Sequence, residues 1–523
     1  MSHSGEDPDH DNTPTADDDP ISDAADDLTP DDDDYADDEE EEELSEDSKL
    51  RAQRAKMENL FHRISNEPVP LRVHDVLIKG NSRTKESLIE AEIEILKEAS
   101  SVQELLKAAS IVNARLQQLD IFDSVNITLD SGPSELPGTT NVIVEVVEPK
   151  NPFTGDIGLY SKPQARTWSL ESALKLKNFL GYGDLWDSSL IYGWDQMSEL
   201  SAGVCLPRFK GIPFPVTARA SLFSQDWLKF SSYKEKVAGV MLGLHSTKNH
   251  DLAYNLSWRA LTDPSQMAST SVRRQLGHNL NSALKYTYTI DKRNSSLRPT
   301  KGYAFVSTTQ LGGLSPDSRC LRYIRQELDL RCAFPLGFYN AALNFGIGVG
   351  VLFPWGSGFR SKPTSLFDRF YLGGTSSPVC TLGGPTSVFG FKARGLGPAE
   401  LRRKDKDDNE GSDGYPGTDF LGGDLAVTAF ADLSFDLPLR VLREAGIHGH
   451  IFASAGSLNK LSENAYRDLS YQKFRESLRS SIGCGVIVPT KLFRMEVNYC
   501  HIVSQQASDR GKTGVQFSFS SPT

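Results

Sequence analysis

The sequence predicts a small α+β domain followed by a transmembrane antiparallel β-barrel of about 16 strands. Three observations carry this. Residues 70–149 run in the order strand, helix, helix, strand, strand. From Asn151 onward, segments of about 9–14 residues alternate apolar and polar side chains, the period of a sheet with one oily and one wet face. Between two such segments lies one long stretch, residues 355–421, whose core is apolar and rich in glycine. A surface loop of that size is ordinarily polar, so this one is expected to pack inside the barrel.

Composition sets the outer limits. At 523 residues the chain has room for two or three domains. No run of about 18 apolar residues occurs, which excludes a helical membrane span. The mean hydropathy of −0.37 is compatible with a barrel, whose strands are only half apolar. The 42 glycines, 26 phenylalanines and 16 tyrosines suit a β-rich chain with many turns. Cys205, Cys320, Cys332, Cys380, Cys484 and Cys500 are scattered without C-x-x-C or metal-ligand spacing.

The net charge of −13 is unevenly spread. Residues 1–48 hold 23 of the 69 acidic residues and none of the 56 basic ones, so residues 49–523 carry 46 acidic against 56 basic, or +10. Such an acidic head cannot bury a core and is expected to be a disordered, solvating tail. It is the opposite of an Arg-rich presequence and lacks the apolar core of a signal peptide. The chain is therefore expected to be cytosolic or targeted by internal information.

Residues 49–69 place Leu60, Phe61 and Ile64 at helical spacing and read as a linker helix. In the 70–149 unit, Val73, Val76 and Ile78 mark a first strand, closed by a turn at Gly80 and Asn81. Thr84 is the expected N-cap of a helix over 87–97. A second helix over 102–119 is expected to share Leu105, Leu106, Ala109, Val112 and Leu116 on one face. Strands follow at 124–129 and 141–147.

The barrel is assigned to residues 151–523. Its clearest strands set Leu252, Tyr254, Leu256, Trp258 and Ala260 against Asp251, Asn255, Ser257 and Arg259. Another sets Leu425, Val427, Ala429, Ala431 and Leu433 against Asp424, Thr428, Asp432 and Ser434. Near the C-terminus Phe493, Met495, Val497 and Tyr499 oppose Arg494, Glu496 and Asn498. An even strand count returns both barrel ends, and the N-terminal domain, to one side. That side has mostly tight connections, as at 335–340 and 489–492; the other carries the long loop.

Several motifs resemble known families. The β-α-α-β-β order, with GNSRT after the first strand and RLQQLDIFDSVNITLD before the second, resembles a POTRA domain. In the long loop, Arg369, Phe370, Tyr371, Leu372, Gly373 and Gly374, followed by Val388, Phe389, Gly390 and Phe391, resemble the lumen loop of the barrel-inserting outer-membrane superfamily. DKRNSSLRPTKG over 291–302 is similar to a turn of the same superfamily. FRMEVNYC over 493–500 is similar to the barrel subunits of the mitochondrial sorting and assembly machinery (SAM). The family motif has an arginine where this chain has Phe389. The resemblance therefore implies either a hydrophobic lock or a role taken over by a nearby cation such as Arg394. Lys512, Gly514, Phe517 and Phe519 match the β-signal of barrel clients. Val515, Phe517 and Phe519 are expected on the lipid face, and Gly514 is expected to permit close backbone approach.

Signals for an enzyme fail. Gly511, Lys512 and Thr513 end like a phosphate-binding loop, but Gln506 stands where its first glycine belongs. His448 and His450 share a strand face without a third metal ligand. No catalytic residue, metal or cofactor is assigned, and no nucleic-acid partner.

The resemblance implies an insertase that folds β-barrel precursors into the mitochondrial outer membrane, with its POTRA domain in the intermembrane space. Its partners would be unfolded barrel precursors, accessory subunits of a SAM-like complex and the lipid bilayer. A plastid outer-envelope relative and a passive outer-membrane channel are the alternatives. The expected lateral seam sets Phe153, Gly155, Ile157 and Gly158 of the first strand against Gly514, Phe517 and Phe519 of the last.

Overall fold

The computed structural model describes Lys56 and residues 69–160, 169–193, 196–208, 214–228, 231–247, 249–314, 321–356, 363–374, 376–403, 417–461, 475–489 and 494–520. The acidic head, nearly all of the linker stretch, Cys320, Phe493 and the side chain of Phe519 lie outside the described residues.

In the N-terminal domain, β1 (Arg72–Lys79), β2 (Ser124–Ser131) and β3 (Thr139–Val147) form a sheet in the order β1-β3-β2. β1 is parallel to β3, and β2 antiparallel to it. The central strand buries Val142, Val144 and Val146, and α1 (Glu86–Lys97) buries Leu88, Ile89, Ile93 and Leu96. In α2 (Val102–Gln118) the buried stripe includes Ala108, Val112 and Leu116. Leu106 lies about 200° round the helix from Ala108 and is exposed, so the expected face was drawn one step too wide. The N-cap of α1 is Lys85, with no side-chain cap bond; Thr84 is engaged elsewhere.

The barrel comprises β4 (Phe153–Tyr160), β5 (Ser169–Lys177), β6 (Leu185–Gly193), β7 (Ser198–Leu206), β8 (Val216–Asp226), β9 (Lys234–Thr247), β10 (His250–Thr262), β11 (Gly277–Asp291), β12 (Gly302–Gly312), β13 (Arg322–Pro335) and β14 (Ala342–Trp355). Inside the long loop, β15 (Ala399–Leu401) pairs with β16 (Thr418–Phe420). The wall then resumes with β17 (Leu425–Asp436), β18 (His448–Asn459), β19 (Arg479–Pro489), β20 (Arg494–Ser504) and β21 (Gly514–Ser520). Short helices α3 (Thr270–Arg273) and α4 (Arg440–Glu444) sit in connections. The sixteen wall strands form one antiparallel meander, with β14 pairing with β17 across the long loop. The end strands β4 and β21 approach to within 8 Å between Cα atoms, but among the described residues no ladder pairing joins them.

The period-2 pattern sets the two faces. β17 turns Ala426, Thr428, Asp432 and Ser434 inward, all buried, and β20 does the same with Arg494, Glu496 and Asn498. Outward residues such as Leu330, Ile347, Tyr499 and Phe517 stay exposed, as a lipid-facing surface must. Ala260 departs from this: it has outward parity but is buried, being too short to emerge between its neighbours. The glycines of β14 face the lumen; a side chain at Gly350 would stand 2.6 Å from the Phe370 ring, so the wall is hollowed where the loop packs.

Candidate functional site: the lumen loop and the seam

The loop is fastened to the inner wall along its length. Arg369 donates to Thr364 Oγ1 at 2.7 Å and to the Leu421 carbonyl at 3.1 Å. Phe370 forms a bridge with Gly423 and packs in a cluster with Tyr323, Leu352 and Leu372. Leu372 bridges Leu396, and Gly374 N–H reaches the Phe391 carbonyl at 3.1 Å, so the two halves of the motif pair with each other. Gly383 N–H donates to Asp329 at 2.8 Å, while Arg331, paired with Asp329 at 2.9 Å, donates to the carbonyls of Pro378, Val379 and Thr381.

Phe389 and Arg394 occupy different pockets. Phe389 packs against Phe452 of β18, the rings tilted by 53° with centres 4.7 Å apart, and lies beside Cys500 of β20. Its carbonyl accepts from Ser481 Oγ at 2.5 Å. Arg394 points toward β9, where its guanidinium bonds Glu235 at 3.1 Å and the Tyr233 hydroxyl at 2.9 Å. The same group lies 3.6 Å from the centre of the Trp227 ring and 4.0 Å from that of Tyr371. Trp227 Nε1 also donates to Glu235, at 2.8 Å. Burial works against the Arg394 charge, but Glu235 and the two tyrosines outweigh it and hold the group above its ordinary pKa. The same burial pushes the Tyr371 hydroxyl up. A loop cation thus meets an acid inside the barrel, five positions after Phe389.

Between these pockets the loop is stitched to the root of the last strand. Lys512 N–H donates to the Gly390 carbonyl at 2.7 Å, Lys392 N–H to Arg510 at 3.0 Å, and Arg510 N–H to Gly395 at 2.9 Å. Phe391 bridges Gly511, and Gly390 N–H reaches Gln516 Oε1 at 3.3 Å. Gly390 holds φ at +87°, a left-handed angle suited to glycine.

The seam side differs. Val515 and Phe517 point outward and are exposed, while Gln516 turns inward and is buried. Gly514 has φ of +118° and nothing within 4 Å of where a Cβ would stand. That backbone angle is one that favours glycine. On β4, Phe153 and Ile157 are exposed and Gly158 is buried; among the described residues β4 pairs only with β5.

At the other end of the barrel the N-terminal domain is held by the β5–β6 turn. Glu148, just past β3, accepts from Ser82 Oγ, from the Arg83 and Thr84 amides, and from Thr84 Oγ1 at 2.6 Å. Partial burial opposes ionisation of Glu148, but these hydrogen bonds hold its carboxyl below the ordinary value. Thr84 Oγ1 in turn accepts from Asn178 Nδ2 at 2.7 Å, and Lys85 N–H donates to Gly181 at 2.8 Å. Asp184, fully buried, shapes this turn by accepting from the amides of Phe179, Leu180 and Tyr182 and from Trp186 Nε1. His450 bonds Asp432 and Asn498, both at 2.7 Å; among the described residues no cluster of three metal-capable side chains occurs. Sequence reasoning missed Glu235, Trp227 and Glu148, which lie in no motif, and Gln516, which lies inside the β-signal but is not one of its defining positions.

The family model described as the Omp85 superfamily domain matches residues 178–521, and the POTRA model, described as a surface antigen variable number repeat, matches residues 71–149. The chain is similar to the sorting and assembly machinery component 50 homolog of Mus musculus, 30% identical over 85% of this chain and 89% of the relative. The Homo sapiens homolog is 28% identical over 85% and 89%. A SAM50-like protein of Schizosaccharomyces pombe is 25% identical over 91% and 95%. Among solved structures, BamA from Haemophilus ducreyi lacking POTRA domains 1–3 shares the fold, with a TM-score of 0.68 at 16% identity over 86% of this chain and 84% of that one.

Proposed function

Because the chain belongs to the Omp85 superfamily, we propose that it is the core insertase of a SAM-like complex. In this reading it folds and inserts β-barrel precursors into the mitochondrial outer membrane, with the POTRA domain in the intermembrane space. Fractionation of a tagged protein separates this from a plastid outer-envelope location. Unfolded precursors, accessory subunits and the bilayer are its partners.

The physical problem is the unpaired strand. In lipid each unsatisfied N–H or C=O group costs several kcal/mol. A barrel with a free strand edge supplies partners for those groups as a client enters. The observation that carries the reading is the seam itself, where the two end strands of the wall, β4 and β21, stand side by side. A client strand with a signal like Gly514–Phe519 would pair with β4 in place of β21, by backbone hydrogen bonds alone. The loop keeps the root of β21 fixed at 510–512, and Gly514 serves as the pivot above it, so β21 swings away from its C-terminal end. The client's own folding provides the free energy, and no nucleotide is required. The edges of the POTRA sheet, β1 and β2, can receive an extended chain by strand addition. A passive channel has no use for a loop wedged across its lumen.

The test is a cysteine pair in a background without native cysteines, one position in 153–160 and one in 514–520. The expected result is a disulfide that forms without client and blocks barrel assembly, with recovery on reduction. Normal assembly by the locked protein would overturn strand exchange and favour bilayer thinning.

A further inference from the structure

We propose that the β13–β14 turn, together with α4, is a membrane anchor that sits in the anionic headgroup layer of the bilayer, on the wall away from the seam. These two connections lie side by side at the POTRA end of the barrel. They expose Phe338 (58%), Tyr339 (67%), Leu439 (63%) and Val441 (77%).

The turn is built rather than slack. Leu336 N–H donates to Ala341 at 2.8 Å, and Ala341 N–H to Phe338 at 2.7 Å. Asp436 N–H, at the foot of the α4 connection, donates to the Tyr339 carbonyl at 2.9 Å. Arg298 clamps both segments, donating to Asn340 at 3.3 Å and to Asp436 at 2.6 Å. Within this frame Tyr339 is held at φ +45°, beside Asn340 at +48°. An L-residue with a bulky side chain adopts that angle only against steric resistance. The clamp therefore maintains a strained backbone that presents an aromatic ring outward.

Continuity with the lipid-facing wall decides the occupant. Phe334, on the outward face of β13, meets Phe345 of β14 edge-on at 6.4 Å, and both are exposed on the oily side of the sheet. The turn extends that surface past the strand ends without a polar break between Phe334 and Tyr339. Beside it, Arg440 and Arg443 are exposed on the same short helix as Val441. Apolar and aromatic side chains next to basic groups at the end of a lipid-facing wall match the boundary between acyl chains and anionic headgroups.

The test uses full-length protein lacking native cysteines, refolded into phosphatidylcholine vesicles with or without phosphatidylglycerol, its insertion checked by heat-dependent gel mobility. Single cysteines at 338 and 441, and at exposed Leu136 of the POTRA domain as reference, carry an environment-sensitive fluorophore. The expected outcome at 338 and 441 is blue-shifted emission, quenching by lipids spin-labelled near the glycerol and shielding from aqueous iodide, with none of these at 136. Arg440→Glu with Arg443→Glu should weaken lipid quenching at 441 in anionic vesicles and leave neutral vesicles unchanged. Iodide quenching at 338 and 441 equal to that at 136 would overturn the anchor. So would shielding that arises only when accessory subunits are added, which would identify a protein-docking face.

Discussion

The wall from β9 to β14 and the strands beside the seam follow one alternating pattern but differ in length. β9, β10, β11, β13 and β14 have 13 to 15 residues. Among the described residues, β4 to β7 have eight or nine, and β21 has seven. At about 3.4 Å per residue, the longest strand reaches roughly 50 Å and β21 roughly 24 Å. Ladder bonds in lipid have no water to replace them, so the long wall is the part that cannot part, and the short strands are where opening costs least. The lumen loop joins the two regimes. It is docked on the long wall through Arg394 and Arg331, and it meets β21 at its root and at Gln516.

The sharpest way to break this contrast is Gly390→Arg. A Cβ there would stand 3.2 Å from Ile502 and 3.4 Å from Ser481, at a φ of +87°. The loop should leave the root of β21, and assembly of a radiolabelled precursor on native gels should fall to background while the barrel keeps its heat-modifiable mobility. Normal assembly would mean that the loop does not govern the seam. Next in size is Arg394→Ala, which leaves Glu235 without its cation. Breaking such a buried pair costs about 3–5 kcal/mol, so protease access to 370–391 should rise sharply. Unchanged protection would remove Arg394 from the lock.

Gly514→Ala acts on the other regime. The site has room for a methyl group, so the expected penalty is backbone strain alone, about 1–2 kcal/mol. Client exchange should slow severalfold with the long wall unaffected; a wild-type rate would show that the pivot lies elsewhere. The smallest effect is expected from Phe389→Leu, below about 1.5 kcal/mol, because the Phe452 pocket remains filled by an apolar side chain. A larger loss of thermal stability would mean that the contact between the two rings itself holds the loop.

The loop motif was legible because glycine and aromatic residues in a long connection leave few alternatives to packing. What held it was not legible. Arg394 and Glu235 are 159 residues apart, and no local spacing singles out Glu235 among the inward acids of the barrel. Gln516 reads as one more polar residue on an alternating strand. Thr84 sits where an N-cap belongs, yet its hydroxyl is drawn to Glu148 and Asn178, groups that only folding brings near. The positive φ of Gly514 was not legible either, since sequence does not distinguish a glycine needed for space from one needed for its backbone angle.

By itself the sequence determined the strands, their inner and outer faces, the β-α-α-β-β domain and the single packed loop, because side-chain period and turn residues are local properties of a chain. Tertiary structure alone decided which acid meets Arg394, that the loop meets the last strand at its root and at Gln516, and that β4 and β21 come side by side at the ends of the sheet. Those depend on how strand lengths and registers accumulate around sixteen neighbours, a sum that no window of sequence contains.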